Sequence, residues 1–469
     1  MFSAFSVRGR GSVRLAVAAL VSGLFAAGSM VGAGPAVADD APRHQGGAVA
    51  TLDGLTTFDR AVLRDGGRNH ELPAGLFEMT VDGGGRLKTY CIDIHNPTQE
   101  QAKYLETPWA QTSLGSNKNA GKIRWILQHS YPQVDDLTGL ADKAGTGPLT
   151  ERTAAAGTQV AIWRYSDGAR VEALDPAAEK LADWLEKKAK NVGEPHASLS
   201  LEPSAVSGKA GGRLGPVTVR TDADQVTITP PADAAASGIK VTGKDGLPVT
   251  AAVNGSELYF DIPSEATDGS AELTVQATTS VPVGRAFAGV TKSQTQILAG
   301  SSRSTVSATA TATWATAGPI PALSAKKNCA KGGVDITATN TGDEAFRFEL
   351  MGFEHSIAAG ESRTITVPVP EDQAYDFTIT GPGGFSKSFK GVLDCKTTGN
   401  AGPSPDGPVS QLAPASAGGA AGGTSDTNLA ETGASSTTPM IAGIAIAFVL
   451  VGGGAVFFVR RKQGPSSEE

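Results

Sequence analysis

Aromatic residues are scarce in this chain: Phe, Trp and Tyr make up only 6% of its 469 residues. Charged residues are also few, at 19%, beside 58 glycines and 27 prolines. That composition excludes one large aromatic-rich core and points to several modest cores joined by linkers. Positive charge is not in excess either. The formal charge is −7, which argues against nucleic acid as a partner. Six histidines and three cysteines occur in no metal-ligand spacing. No phosphate loop and no G-x-S-x-G elbow is present, so no metal, nucleotide or other cofactor is expected.

Long apolar runs occur only near the two ends. The first follows Arg8, Arg10 and Arg14 and extends from about Leu15 to Val31, interrupted by Ser22, Gly23, Gly28 and Ser29. Ala36-Val37-Ala38 then supplies small residues before Asp39. This is the layout of a secretory signal peptide over residues 1–38, cut between Ala38 and Asp39. The second run, Met440 to Val459, has no charge and is followed by Arg460-Arg461-Lys462. At ~1.5 Å per residue it is long enough to span a bilayer core of roughly 30 Å as a helix. The basic cluster predicts a cytoplasmic tail over 460–469. Just upstream lies Leu429-Ala430-Glu431-Thr432-Gly433.

The order of pentapeptide, apolar helix and basic tail resembles the sorting signal of sortase-anchored Gram-positive surface proteins. The LAETG form is similar to the LAxTG variant of high-GC (actinobacterial) species. The resemblance implies cleavage by sortase between Thr432 and Gly433 and covalent attachment to peptidoglycan. The product is then a secreted, cell-wall protein whose precursor crosses the membrane once, in transit. A plain single-pass anchor is the alternative. Removing residues 1–38, with three net positive charges, and 433–469, with one, takes the charge from −7 to −11.

About 394 residues remain between these processing sites, enough for two to four domains. Residues 45–197 hold four of the five tryptophans and most helix signals. Ile123, Ile126 and Leu127 line one helix face ahead of Pro132. Asp175-Pro176 caps another helix, with Leu181, Trp184 and Leu185 as its stripe. Met79 to Val81 and Leu87 to Ile94 read as strands joined through Gly83-Gly84-Gly85. Residues 198–316 alternate as a β-sandwich, and 322–396 as a small immunoglobulin-like β-domain. Residues 397–428 are rich in Gly, Ala, Pro, Ser and Thr and read as a disordered stalk. The fold class is therefore multidomain: an α+β domain, two all-β domains, the stalk and a C-terminal transmembrane helix.

Cys329 and Cys395 bracket the last β-domain. In an exported chain they are expected to form a disulfide, which would stabilise by roughly 4 kcal/mol; two free thiols are the alternative. Cys91 is then left alone, in Lys88-Thr89-Tyr90-Cys91-Ile92-Asp93-Ile94. Further on lies Gly157-Thr158-Gln159-Val160-Ala161-Ile162-Trp163. Tyr90-Cys91 and Thr158-Gln159-Val160-Ala161-Ile162-Trp163 resemble the two signatures of the thioester domains of Gram-positive surface adhesins. The likeness covers roughly 50–195 and implies a thioester cross-link between Cys91 and Gln159. Tyr90 and Trp163, the latter at i+4 from Gln159, would frame or shield it.

The chemistry suits these residue types. A thiol held against a Gln carboxamide displaces ammonia, and the resulting thioester is open to attack by an amine. The protein would then be a covalent adhesin for an amine-bearing surface ligand, single-use and hence not an enzyme. A non-covalent adhesive or structural wall protein is the second reading. A cysteine-dependent wall hydrolase is the third, with His70, His95 or His129 as base. His95 reads equally well as ordinary surface. Isopeptide bonds in such stalks also follow from the resemblance. Lys240 with Asn254 is the candidate pair, ordinary surface residues being the better reading.

Overall fold

A computed structural model describes residues 46–396. The first long strands are β1 (Val49–Asp65) and β2 (Arg68–Val81), paired antiparallel with Asp65 opposite Arg68. Gly66 and Gly67 close this hairpin, both at positive φ, the geometry of a tight two-residue turn. β3 (Arg86–Cys91) follows through the three glycines at 83–85 and pairs with β2. β4 (Lys103–Thr107) and β5 (Val171–Ala173) both pair with β1.

Two further strands complete this sheet from far along the chain. Ala286–Gly289 pairs with β4, and Gln296–Ser301 pairs with β3. The order is β2, β3, Gln296–Ser301, Ala286–Gly289, β4, β1, β5, and β1 also pairs with β2. Six antiparallel strands therefore close on themselves, which leaves no open edge beside β3. The assignment of all of residues 198–316 to the second domain is corrected accordingly, because residues 286–301 belong to the first domain's sheet. They lie between two strands of the second domain, Gly269–Ser280 and Arg303–Ala315, which pair along their whole length. Local alternation assigns a strand to its neighbours in sequence, whereas backbone hydrogen bonding put this hairpin into another sheet.

Four helices pack on the first domain: α1 (Ala120–Gln128), α2 (Leu137–Ala144), α3 (Glu151–Ser166) and α4 (Pro176–Lys188). α1 buries Ile123, Ile126 and Leu127. In α4 the Asp175 carboxylate accepts from the N–H groups of Ala177 and Ala178 at 2.8 and 2.9 Å. Pro176 occupies the first turn, where no N–H is needed. α3 is the central helix, started by a Thr150–Thr153 capping box and buried along nearly all its length. Its run of Ala154-Ala155-Ala156-Gly157 offers little bulk. A Cβ on Gly157 would sit 2.5 Å from the Ala178 carbonyl, so glycine is what lets α3 and α4 approach.

The second domain is a β-sandwich of a four-stranded and a five-stranded sheet, in which Arg303–Ala315 pairs parallel with Ala205–Lys209. It shares one continuous core with the first domain. Of the isopeptide candidates, Lys240 is exposed, and the Asn254 side-chain oxygen accepts from Thr221 N–H at 3.2 Å. A buried ion cluster locks the returning hairpin. Arg285 Nε donates to Glu106 at 2.9 Å and its Nη1 donates to Glu194 at 2.8 Å. Glu106 also accepts from the N–H groups of Ala48 and Ser198 at 3.0 and 2.9 Å.

Residues 320–396 form a third, all-β domain around its own core of Val334, Ile336, Phe346, Ile357 and Ile379. It is built from one three-stranded sheet and two hairpins. Cys329 and Cys395 are bonded, with Cα atoms 5.1 Å apart. This domain touches the first: Thr295 donates to Asp394 at 2.7 Å, and Lys292 lies 3.3 Å from Asp372. No helix among the described residues is long and apolar enough to cross a membrane. The signal segment with Ala38 and Asp39, the stalk, LAETG with Thr432 and Gly433, and the apolar run 440–459 lie outside the described residues.

Candidate functional site

β3 delivers Cys91 at its last residue. The sequence reading carried this strand on to Ile94, but the chain turns away after Cys91. The turn wraps the sulfur. Asp93 N–H donates to Sγ at 3.2 Å, and the thiol donates back to the Asp93 carbonyl at 3.1 Å. α3 delivers Gln159 from the other side. Its Oε1 accepts from Cys91 N–H at 3.0 Å, and its Nε2 donates to the Cys91 carbonyl at 2.8 Å. A carboxamide clamped at both ends on the backbone of one residue holds its carbon against that residue. Trp163, one turn further along α3, aims its indole N–H at Sγ from 3.4 Å. Tyr90 points its hydroxyl the other way, to the Tyr131 carbonyl at 2.8 Å.

Cys91, Gln159 and Tyr90 are 0% exposed and Trp163 is 1% exposed. An amine has to reach the Gln159 carbonyl carbon for the expected chemistry, whereas this conformation closes the site to solvent. Polar side chains strap the closing turn. Gln294 Nε2 donates to the carbonyls of Asp93 and Asn96 at 2.7 and 2.5 Å, and Ile94 N–H donates to Asp167 at 3.1 Å. Gln296, opposite Cys91 in the sheet, takes a hydrogen bond from Thr89 at 3.1 Å and donates to Gln294 at 3.2 Å.

Burial dominates the electrostatics. It pushes the Cys91 thiol well above its usual range, and the charge of Asp167 adds to that, while the Trp163 hydrogen bond opposes it. Asp93 is pushed up to about 7 by burial and then by Asp394. Asp167 is also raised well above the carboxylate range, by burial and then by Asp93. No lysine or arginine pairs with Asp93 or Asp167 among the described residues. Neither carboxylate was given a role from sequence, nor were Gln294, Gln296 or Thr295. The polar run Ser293-Gln294-Thr295-Gln296 ahead of Ile297-Leu298 was the one available signal.

His95 is exposed, His129 is exposed and stacks on Trp125 at 3.9 Å, and His70 lies on β2. None bonds the Cys91 sulfur. One acidic trio, Glu371, Asp372 and Asp394, is close enough together to hold a metal ion. Its carboxylates already engage the N–H groups of Cys395 and Lys396, the Lys292 ammonium and the Thr295 hydroxyl.

Two family models match. Residues 88–191 match the thioester domain, and this match spans both Cys91 and Gln159. Residues 320–392 match the bacterial phospholipase C, C-terminal domain. Among solved structures the chain is similar to the Bacillus anthracis TIE protein, at 15% identity and a TM-score of 0.27. That alignment covers 74% of this chain and 64% of the Bacillus protein. It is also similar to the thioester domain of the Enterococcus faecium TIE86 protein. There the identity is 13%, the coverage 58% of this chain and 97% of that one, and the TM-score 0.26. The chain thus spans under two thirds of the Bacillus protein's length. No curated protein matches.

Proposed function

We propose that Cys91 and Gln159 form an internal thioester and that the protein uses it to tether a cell surface covalently to an amine-bearing target. The observation that carries this reading is the clamp of the Gln159 carboxamide on Cys91 at 3.0 and 2.8 Å. Attack of the sulfur on Gln159 Cδ puts negative charge on Oε1, which already accepts the Cys91 N–H. That donor acts as a one-bond oxyanion hole. The C–N bond breaks, the C–S bond forms, and the thiol proton leaves with ammonia. An arriving amine reverses the logic. Its nitrogen bonds to Cδ, the C–S bond breaks, and one amine proton ends on the Cys91 sulfur. The dry surround protects the thioester from water until then.

In this reading residues 1–38 direct export, and sortase joins Thr432 to peptidoglycan. The second and third domains, with the stalk, project the reactive domain from the wall. The basis for export and anchoring is the sequence at the two ends. The burial of Cys91 and Gln159 favours one alternative, a non-covalent module in which this pair is only a structural clasp. Intact mass of the full chain beside its Cys91→Ala form separates the two. The thioester makes the parent lighter by one ammonia beyond the substitution itself, and methylamine abolishes the deficit. A parent with unmodified Gln159 and a free Cys91 refutes the covalent reading.

A further inference from the structure

We propose that Trp163 is a catalytic hydrogen-bond donor of this site, its indole N–H stabilising the Cys91 sulfur as it departs when an amine opens the thioester. The inference rests on the thioester reading above and assigns a chemical role to a residue whose evident role is shielding.

Two other buried indoles of this chain set the comparison for Trp163. Trp109 Nε1 donates to the Gly284 carbonyl at 2.8 Å, and Trp314 Nε1 donates to the Thr267 carbonyl at 2.8 Å. Both satisfy the donor with oxygen, as buried indoles ordinarily do. Trp163 Nε1 instead meets the Cys91 sulfur at 3.4 Å. Neutral sulfur is a weak acceptor, so this bond stabilises the resting protein little. It strengthens as the sulfur takes on negative charge. An interaction that is weak in the ground state and strong in the transition state is what accelerates a reaction.

The surroundings make such a donor necessary. The sulfur departs into a site with no solvent exposure, beside Asp93 and Asp167, neither of which has a cationic partner among the described residues. Burial opposes a thiolate, as does each of these carboxyls when it is ionised, and the Trp163 side chain favours it. Asp93 N–H, at 3.2 Å, is the second donor on the same atom. Position supports the assignment as well. At i+4 from Gln159, Trp163 shares the helix face that carries the acyl carbon, so one rigid element sets both. Cys91 N–H then serves the oxygen that gains charge, while Trp163 serves the sulfur.

Trp163→Phe keeps the apolar ring and removes the N–H. The test uses the purified full chain with methylamine as the probe. Thioester loss is followed by mass spectrometry, and circular dichroism establishes that the variant is folded. The expected result is opening about 10- to 100-fold slower than in the parent, the range for a hydrogen bond to a charged group. Opening at the parent's rate overturns the donor role and leaves the thioester reading intact. A parent without ammonia loss overturns both. A folded Phe variant that forms no thioester at neutral pH, but forms it at alkaline pH where the thiolate arises unaided, supports the role. A folded variant that forms none at any pH overturns it in favour of a packing requirement.

Discussion

Asp93 should make the stability of this protein fall as pH rises from about 4 to about 7. Asp93 is 1% exposed, and its carboxyl has no cationic partner among the described residues. Its hydrogen-bond donors are Asn96 Nδ2 and the His95 N–H at 3.2 Å. Burial and then Asp394 raise it from 3.8 to about 7. The sign follows from proton binding. Between those values the folded chain holds a proton that the unfolded chain has released, so rising pH favours unfolding. Below the lower value both states are protonated and no penalty exists. Above the upper value both are ionised and the penalty is constant, on the order of 4 kcal/mol at most. Asp93→Asn removes the ionisation. It also loses one acceptor, at a cost of about 1 kcal/mol that does not vary with pH. The variant should therefore be slightly less stable than the parent near pH 4 and roughly 2–3 kcal/mol more stable near pH 8. Asp167, which couples to Asp93, is relieved by the same change and acts in the same direction. Urea unfolding of both proteins at pH 4, 6 and 8, after identical methylamine treatment, reads the gap. A gap that does not widen with pH would refute the reasoning.

Two further outcomes test the scaffold. Arg285→Met leaves the Glu106 carboxylate buried with only uncharged donors, and the expected loss is on the order of 3–5 kcal/mol by urea unfolding. Adding Glu106→Gln should recover part of it, and a single-variant loss under about 1 kcal/mol would show that the cluster is not a lock. Replacing Cys329 and Cys395 by serine opens a 66-residue loop and should cost the third domain about 4 kcal/mol. Because that domain has its own core, proteolysis should attack residues 320–396 first and leave the first two domains intact. Simultaneous cleavage throughout would contradict a separate core.

Local signals were readable without coordinates. The apolar spacing of Ile123, Ile126 and Leu127 and the Asp175-Pro176 cap are short-range features, and α1 and α4 form where they stand. The alternation in the second and third domains likewise needs only a period of two. Cys91 and Gln159 were singled out by residue type and motif, although nothing in a span of 68 positions says that the two side chains meet. The export and sorting segments rest on sequence alone.

Tertiary structure decided the rest. It ended β3 at Cys91, because the following backbone is used to bond the sulfur. It moved residues 286–301 out of the second domain to close the first sheet, a choice made by hydrogen bonding between strands distant in sequence. That closure brought Gln294, Thr295 and Gln296 against the site, residues that carry no motif. It also set the burial of Asp93 and Asp167, on which their titration depends. Sequence fixes which groups can react and which local elements form, since those depend on residue type and near neighbours. How dry the site is, which donors face its sulfur and oxygen, and which charges oppose them depend on long-range packing.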